Sequence, residues 1–519
     1  MTITSFSYLV LLTIGAILYY ILPKSFQWLE LLLISIIFYC LAAEPFTLIY
    51  IVISTVLAWG CTNGFVKIQQ NFSSSFSLKY SRTLMMLTIG INIFIWFIFK
   101  GGNFWKPIFN GFVFLIPKFS AIKNIEFVAA LGMGYYTLQV IGYILDCYWG
   151  IIKAQKNIFK LFLFVCFFPQ LVTGPISRYE QLKSVYEEHR FSYLNVTYGA
   201  QRILWGFFKK IVLAERAAII VNTIWADLVA YKGLYTWIAL FVWPIQIYAD
   251  FSGCMDIALG TAELFGIKLP ENFNNPFFSK TSQEFWQRWH ITLGNWAKDY
   301  VLYPLLKSKA ILKLGKISKS KLGKKAGRFI PTAVGMLGLW MVLGVWHGEF
   351  KYVVGVSLWY WVILIMGQLF APIFSKILKI MNIRMDIFSW RLFQMIRTYI
   401  ILAIGVIFFR AEDIREALDF ILNLCKAFQK EDWNPWIFFD GSILNLGITY
   451  LDLNIMIFAI MLLLIVAVLR EKYGYARIWV AQQLLPFRWF IWLGLFIFVL
   501  IYGMYGPGYS AAEFIYQGF

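Results

Sequence analysis

The chain has 519 residues, of which 60% are hydrophobic, 19% aromatic and only 14% charged, and its mean hydropathy is +0.68. Soluble domains are near half apolar and a quarter charged, so this composition excludes an ordinary water-soluble enzyme and points to an integral membrane protein. The excess of 46 Lys and Arg over 27 Asp and Glu leaves a net charge of +19, which in a membrane protein reads as basic cytoplasmic loops rather than nucleic-acid binding.

Crossing a bilayer takes roughly 20 apolar residues of helix. Apolar runs that approach or exceed this length occur at about 7–23, 28–43, 46–65, 83–99, 125–145, 158–173, 203–221, 235–265, 330–346, 352–373, 392–409, 455–469 and 488–505. About ten to twelve are expected to cross, giving an all-α polytopic membrane protein; the others are short or interrupted by Gly and Pro and read as re-entrant. The first run, "SYLVLLTIGAILYYIL", has no basic residues ahead of it, no small-residue cleavage site and a second apolar run close behind. It reads as a retained helix rather than a signal peptide. No composition break marks a second domain, so 1–519 is expected to be one membrane domain, with 174–202, 266–289 and 426–453 as its longest polar loops. No fixed-period repeat is evident. The six cysteines (Cys40, Cys61, Cys147, Cys166, Cys254, Cys425) form no CxxC pair and read as free thiols in apolar surroundings, with neither a metal site nor a disulfide framework.

Basic residues orient the chain. Lys67, Lys79 and Arg82, then Lys376, Lys379 and Arg384, then Arg470, Lys472, Arg477 and Arg488 mark inside loops, and Lys307 to Arg328 contains nine basic residues and no acidic one. Counting outward from these anchors places both termini outside the cytoplasm. Binding of lipid headgroups is the alternative explanation for the same lysines.

Ionisable residues in apolar surroundings are functional candidates because burying them is unfavourable. Asp146, Asp250, Asp256, Arg410 and His347 qualify, although pairing or an interfacial position is the ordinary explanation for any single carboxylate. Asp250 and Asp256 do not share a helix face, so paired acid and base carboxylates are not indicated. Gly253 between them allows a kink or a close approach.

The chain has three histidines. His189, among the charges of "KSVYEEHR", reads as a solvated surface residue. His290 lies in "QEFWQRWHITLGNW" (283–296), a Trp- and Arg-rich stretch expected near the cytoplasmic interface. His347 lies in "LGVWHGEF" (343–350). A helix starting near Phe329 carries it roughly 27 Å through a hydrocarbon layer of about 30 Å, deep or toward the outer side. Gly344 and Gly348 flank it and allow close backbone approach or a break. An imidazole in low dielectric favours its neutral form, suited to act as general base for an alcohol attacking an activated acyl group. A histidine hydrogen-bonded between helices is an equal alternative. No GxSxG, HExxH, P-loop or Rossmann glycine pattern supports a hydrolase, zinc enzyme or nucleotide-driven pump.

The stretches "YADFSGCMDIALGTAELFGIKLPENFNNPFFSKTSQEFWQRWHITLGNWAKDYVLYPL" (248–305) and "LGLWMVLGVWHG" (337–348) resemble the signature of the membrane-bound O-acyltransferase superfamily, in its alginate O-acetylation branch. Further resemblance lies in "LGMGYYTLQVIGYILDCYWG" (131–150), "FFPQLVTGPISRYEQL" (167–182), "FFRAEDIREALDF" (408–420) and the tail "AAEFIYQGF" (511–519), so it covers almost the whole chain. Departures are Gln517-Gly518 in the tail and "LGVWHG" for the commoner Gly-Leu-Trp-His-Gly.

The resemblance implies a ring of tilted helices around a thin centre, and transfer of an acyl group, usually acetyl, across the membrane to a hydroxyl of an extracytoplasmic polysaccharide. It implies His347 as catalytic histidine and His290 as a second required one. It further implies a thioester co-substrate, such as acetyl-CoA or an acyl-carrier thioester, with no bound cofactor or metal. A periplasmic or surface-anchored partner protein and a location in the bacterial cell membrane go with it. Around the histidines, Asn295, Trp289, Trp346 and Asp250 are candidates to line the route, and Arg288 or Lys298 to hold the anionic donor at its mouth. D-alanyl transfer to teichoic acid is the related alternative. A polysaccharide or lipid transporter or flippase is the alternative of another class, weakened by the lack of an inverted repeat.

Overall fold

The computed structural model describes residues 1–71, 74–100, 128–426 and 434–506. Apart from one isolated bridge between Phe273 and Trp289, the ordered elements among them are helices. A bilayer interior offers no water to backbone N–H and C=O groups, and a helix satisfies them within its own segment.

Nine helices among the described residues are long and apolar enough to cross a membrane: Lys24–Ala42, Pro45–Ile68, Phe76–Phe99, Leu234–Leu264, Lys309–Trp346, Phe350–Ile380, Phe388–Arg410, Tyr450–Tyr473 and Leu485–Tyr502. Phe6–Ile21 is a shorter apolar helix. Other apolar runs form shorter pieces. The run at 158–173 breaks into Ile158–Cys166 and Phe168–Leu171 at Phe167, whose ψ of 111° leaves the helical region and which caps a short helix with Pro169 in its first turn. The tail 511–519 lies outside the described residues.

The described residues divide into two compact units, one from 1–205 with 254–271, the other from 206–253 with 272–506. In the first, helix Tyr193–Phe207 and the end of Leu234–Leu264 meet through glycines. A Cβ on Gly199 would lie 2.7 Å from the Gly260 carbonyl oxygen, a separation only glycine permits. Arg202 joins this contact to the loop beyond it, its Nε 2.9 Å from Asp256 and its Nη2 2.7 Å from Glu271.

His189, also in the first unit, is not the solvated residue its charged neighbours suggest. It is half-buried. Gln27 clamps its backbone, accepting from the His189 N–H at 2.8 Å and donating to its carbonyl at 2.9 Å, and Tyr19 Oη lies 2.9 Å from its Nδ1. The reason is tertiary: a helix far away in sequence supplies a complementary amide.

In the second unit, a π-helical turn at Phe208–Ala214 packs on the first part of Leu234–Leu264. Gly253 gives the close approach expected of it, a Cβ there falling 2.9 Å from the Gly206 carbonyl oxygen. Asp250 is paired: Lys210 Nζ sits 2.5 Å from its Oδ1 and 2.8 Å from Glu215 Oε1. Buried charges of opposite sign offset one another's desolvation in this way.

The basic stretch expected as a loop is helical. Lys309–Trp346 is two helical segments joined at Gly323, whose φ of 87° and ψ of 175° are open to glycine alone. The chain doubles back there: a Cβ on Gly315 would lie 3.1 Å from Pro331, and one on Gly327 would lie 2.5 Å from the Lys319 Cβ. Periodicity was hidden by lysines on every side, and all nine basic residues of 307–328 are exposed. The second segment then runs unbroken to His347.

Candidate active site

His347 follows the last turn of that segment with φ −70° and ψ −14°, and Gly348 turns the chain with φ +89°. Its imidazole is buried, 6% exposed, in an aromatic box: ring centroids lie 5.0 Å away at Trp346, 5.3 Å at Tyr352 and 5.0 Å at Phe409. Gly344 makes the box possible, since a Cβ there would meet Ser357 Oγ at 2.0 Å and the Tyr352 carbonyl oxygen at 2.9 Å. The box is anchored by Lys351, which donates to the Ala411 carbonyl at 2.7 Å and pairs with Glu349 at 2.8 Å. It is further fixed by Phe408, packed so tightly on Gly355 that a Cβ there would sit 2.3 Å from it.

His290 is held differently. Helix Ser282–Arg288 is capped by Thr281, whose Oγ1 accepts from the Glu284 N–H at 3.1 Å while the Glu284 carboxylate accepts from the Lys280 N–H at 2.9 Å. Beyond it the chain pairs with 272–274: Asn274 N–H donates to the Arg288 carbonyl at 2.9 Å and Ile291 N–H to the Asn272 carbonyl at 3.0 Å. Between these two bonds His290 takes a left-handed conformation, φ 46° and ψ 51°, uncommon for a non-glycine residue and maintained here by the bonds on either side. Its Nδ1 lies 3.3 Å from Asn272 Oδ1. Its ring packs 5.0 Å from Phe251 and 6.4 Å from Trp346. Burial pushes this imidazole down to about 3, well below its ordinary range.

Trp346 therefore contacts both histidines, and the two buried imidazoles share one indole wall. Trp286, between Trp340 at 5.0 Å and Tyr360 at 4.7 Å, belongs to the same aromatic layer.

Residues 152–409 match the model of MBOAT, the membrane-bound O-acyltransferase family. The chain belongs to that family. The MBOAT segment contains both histidines and Phe409, the last residue of the box. Among similar proteins, a probable alginate O-acetylase AlgI of Pseudomonas syringae is 28% identical over 55% of this chain and 50% of its own length. A peptidoglycan O-acetyltransferase of Helicobacter pylori is 30% identical over 44% of this chain and 47% of its own. A teichoic acid D-alanyltransferase of Bacillus subtilis is 30% identical over 43% and 54%. The matches span about half the length of these relatives.

Trp289 is buried, 5.4 Å from Phe285 and 5.1 Å from Phe273. Asp250 is occupied by Lys210, but its neighbour Phe251 is the ring on His290. Asn295 is exposed and Lys298 half-buried. Arg288 is committed to two carboxylates, Glu284 at 2.9 Å and Glu471 at 2.6 Å, so a donor anion would have to displace them. Arg410 donates to Asn222 Oδ1 at 3.1 Å and lies over the Trp225 ring.

Tyr352, Phe409, Asn272 and Thr292 were not legible as site residues. Phe409 stands in "FFRAE" and Asn272 in "ENFNN", motifs visible in the sequence, but nothing local says which of their members faces a histidine.

Proposed function

We propose that this chain is a membrane O-acyltransferase. It carries an acyl group, acetyl in the simplest case, from a cytoplasmic thioester such as acetyl-CoA or an acyl-carrier thioester to a hydroxyl of an extracytoplasmic or cell-wall polysaccharide. Delivery is direct or through a periplasmic or surface-anchored partner protein, in the bacterial cell membrane. The observation that carries this reading is the pair of buried histidines that both pack on Trp346, inside the segment that matches the acyltransferase family. The names of the relatives, alginate, peptidoglycan and teichoic acid acyl transfer, support a polymer hydroxyl as acceptor.

In this mechanism the acceptor oxygen attacks the thioester carbonyl carbon while neutral His347 takes the hydroxyl proton. The C–S bond then breaks, and the proton passes to the leaving thiolate, giving ester and free thiol. The aromatic box serves by excluding water, which would otherwise compete as acceptor. Lys298 is the candidate cation for the donor, since Arg288 is paired.

The test is polymer-bound ester released by mild base from cells expressing the wild type, His347→Ala and His290→Ala at matched membrane levels. Loss of ester in His347→Ala supports the reading, and the released acid distinguishes acetate from D-alanine. Unchanged ester in both variants overturns it and returns the transporter alternative to the front.

A further inference from the structure

We infer that Asn272 is a positioning residue that locks His290 in one tautomer, with the proton on Nδ1 and the lone pair on Nε2. The assignment follows from donor and acceptor bookkeeping at one atom. Asn272 is fully buried, and its Oδ1 lies 3.0 Å from the backbone nitrogen of Thr292, 2.9 Å from Thr292 Oγ1 and 3.3 Å from His290 Nδ1. A backbone N–H only donates, so the amide atom facing Thr292 must be the oxygen; the flipped amide would set donor against donor. An amide oxygen only accepts, so the ring nitrogen facing it must carry the hydrogen. The other end of the amide has no say, because Asn272 Nδ2 has no hydrogen-bond partner among the described residues.

Backbone geometry keeps the three groups in register. The Ile291 N–H bond to the Asn272 carbonyl and the Phe273–Trp289 bridge hold 272–274 against 288–292, and with His290 in its left-handed turn its Nδ1 lies 3.3 Å from Asn272 Oδ1. Nothing in the tautomer assignment depends on acyl transfer. Its catalytic meaning rests on the function proposed above: His290 then meets a substrate as a proton acceptor at Nε2 and does not donate from that nitrogen to a carbonyl oxygen.

The test uses the full chain in detergent micelles, labelled with 15N-histidine. With three histidines in the sequence, the His290 signals are identified as those that survive in both His347→Ala and His189→Gln. The wild type is expected to show His290 protonated on Nδ1 near neutral pH, and Asn272→Ala to shift it toward the Nε2-protonated form. Asn272→Asp retains an acceptor and should retain the wild-type tautomer. In the transfer assay, Asn272→Ala should lose on the order of 10²-fold, within what acid–base groups supply, with partial rescue by Asn272→Asp. An Nε2-protonated His290 in the wild type, a result needing no variant to fold, would overturn the lock, as would an unchanged tautomer in Asn272→Ala. Absence of ester transfer in the wild type, with the tautomer as expected, would instead remove the function and leave the lock standing.

Discussion

His290 and His347 share Trp346, yet the chain delivers them differently: one sits in a left-handed turn between paired segments, the other at a helix end inside an aromatic box. Around His290 the backbone is strained, and the amides of Ile291 and Thr292 are tied to Asn272 while that of Asn274 is tied to the Arg288 carbonyl. Around His347 a helix has just ended and Gly348 turns the chain, and three aromatic rings and the missing side chain of Gly344 shape its pocket. Hydrogen bonds specify direction and protonation, whereas close packing specifies position and dryness. A reaction that needs a proton handled at a defined atom and water kept out needs both.

The contrast can be broken most forcefully at the rings themselves. His347→Ala should cut transfer by about 10²–10⁴-fold, the usual worth of a general base, while the membrane-extracted chain keeps its cooperative melt. His290→Asn is the matching change, because asparagine tolerates the left-handed backbone. It should fold yet lose ester transfer, and a folded, fully active His290→Asn would show that this imidazole does no chemistry.

Packing comes next. Gly344→Ala places a methyl where Ser357 Oγ stands, and should destabilise by about 1–3 kcal/mol in a thermal or denaturant assay. Its effect on transfer should exceed that of an alanine at Gly367, where a Cβ meets nothing within 4 Å.

A pH titration sharpens the comparison without touching either ring. Burial lowers the imidazole of His290 to about 3 and lowers that of His189 as well. Each is therefore neutral in the folded chain where the unfolded chain already binds a proton. Stability should be fully present above the ordinary histidine value of about 6.5 and fall as pH drops below it, for His290 continuing toward 3. In His189→Gln the fall should be shallower, with ester transfer unchanged. A melt independent of pH between 7 and 5 would contradict this. The smallest effect is expected for Thr292→Val, which removes one hydroxyl bond to Asn272 and should destabilise by about 1 kcal/mol.

Hydrophobicity, charge and scarcity are properties of the chain itself, and they were enough to determine a polytopic helical membrane protein with His347 as its sharpest candidate, whereas His290 came forward only through the resemblance of its motif. Gly344, Gly348 and Gly253 were readable too, because a missing side chain in an apolar run has few explanations. What a residue faces is decided elsewhere. His189 looked solvated until Gln27, 162 positions away, closed on its backbone; Arg288 looked available until Glu471 met it. The basic stretch after Lys307 looked like a loop until Gly323 folded it into a helical hairpin. Nor could spacing reveal that Trp346 serves both histidines, or that Phe409 closes the box around one and Asn272 orients the other. Those pairings join segments distant in sequence, and only packing, which depends on all the helices at once, selects among them.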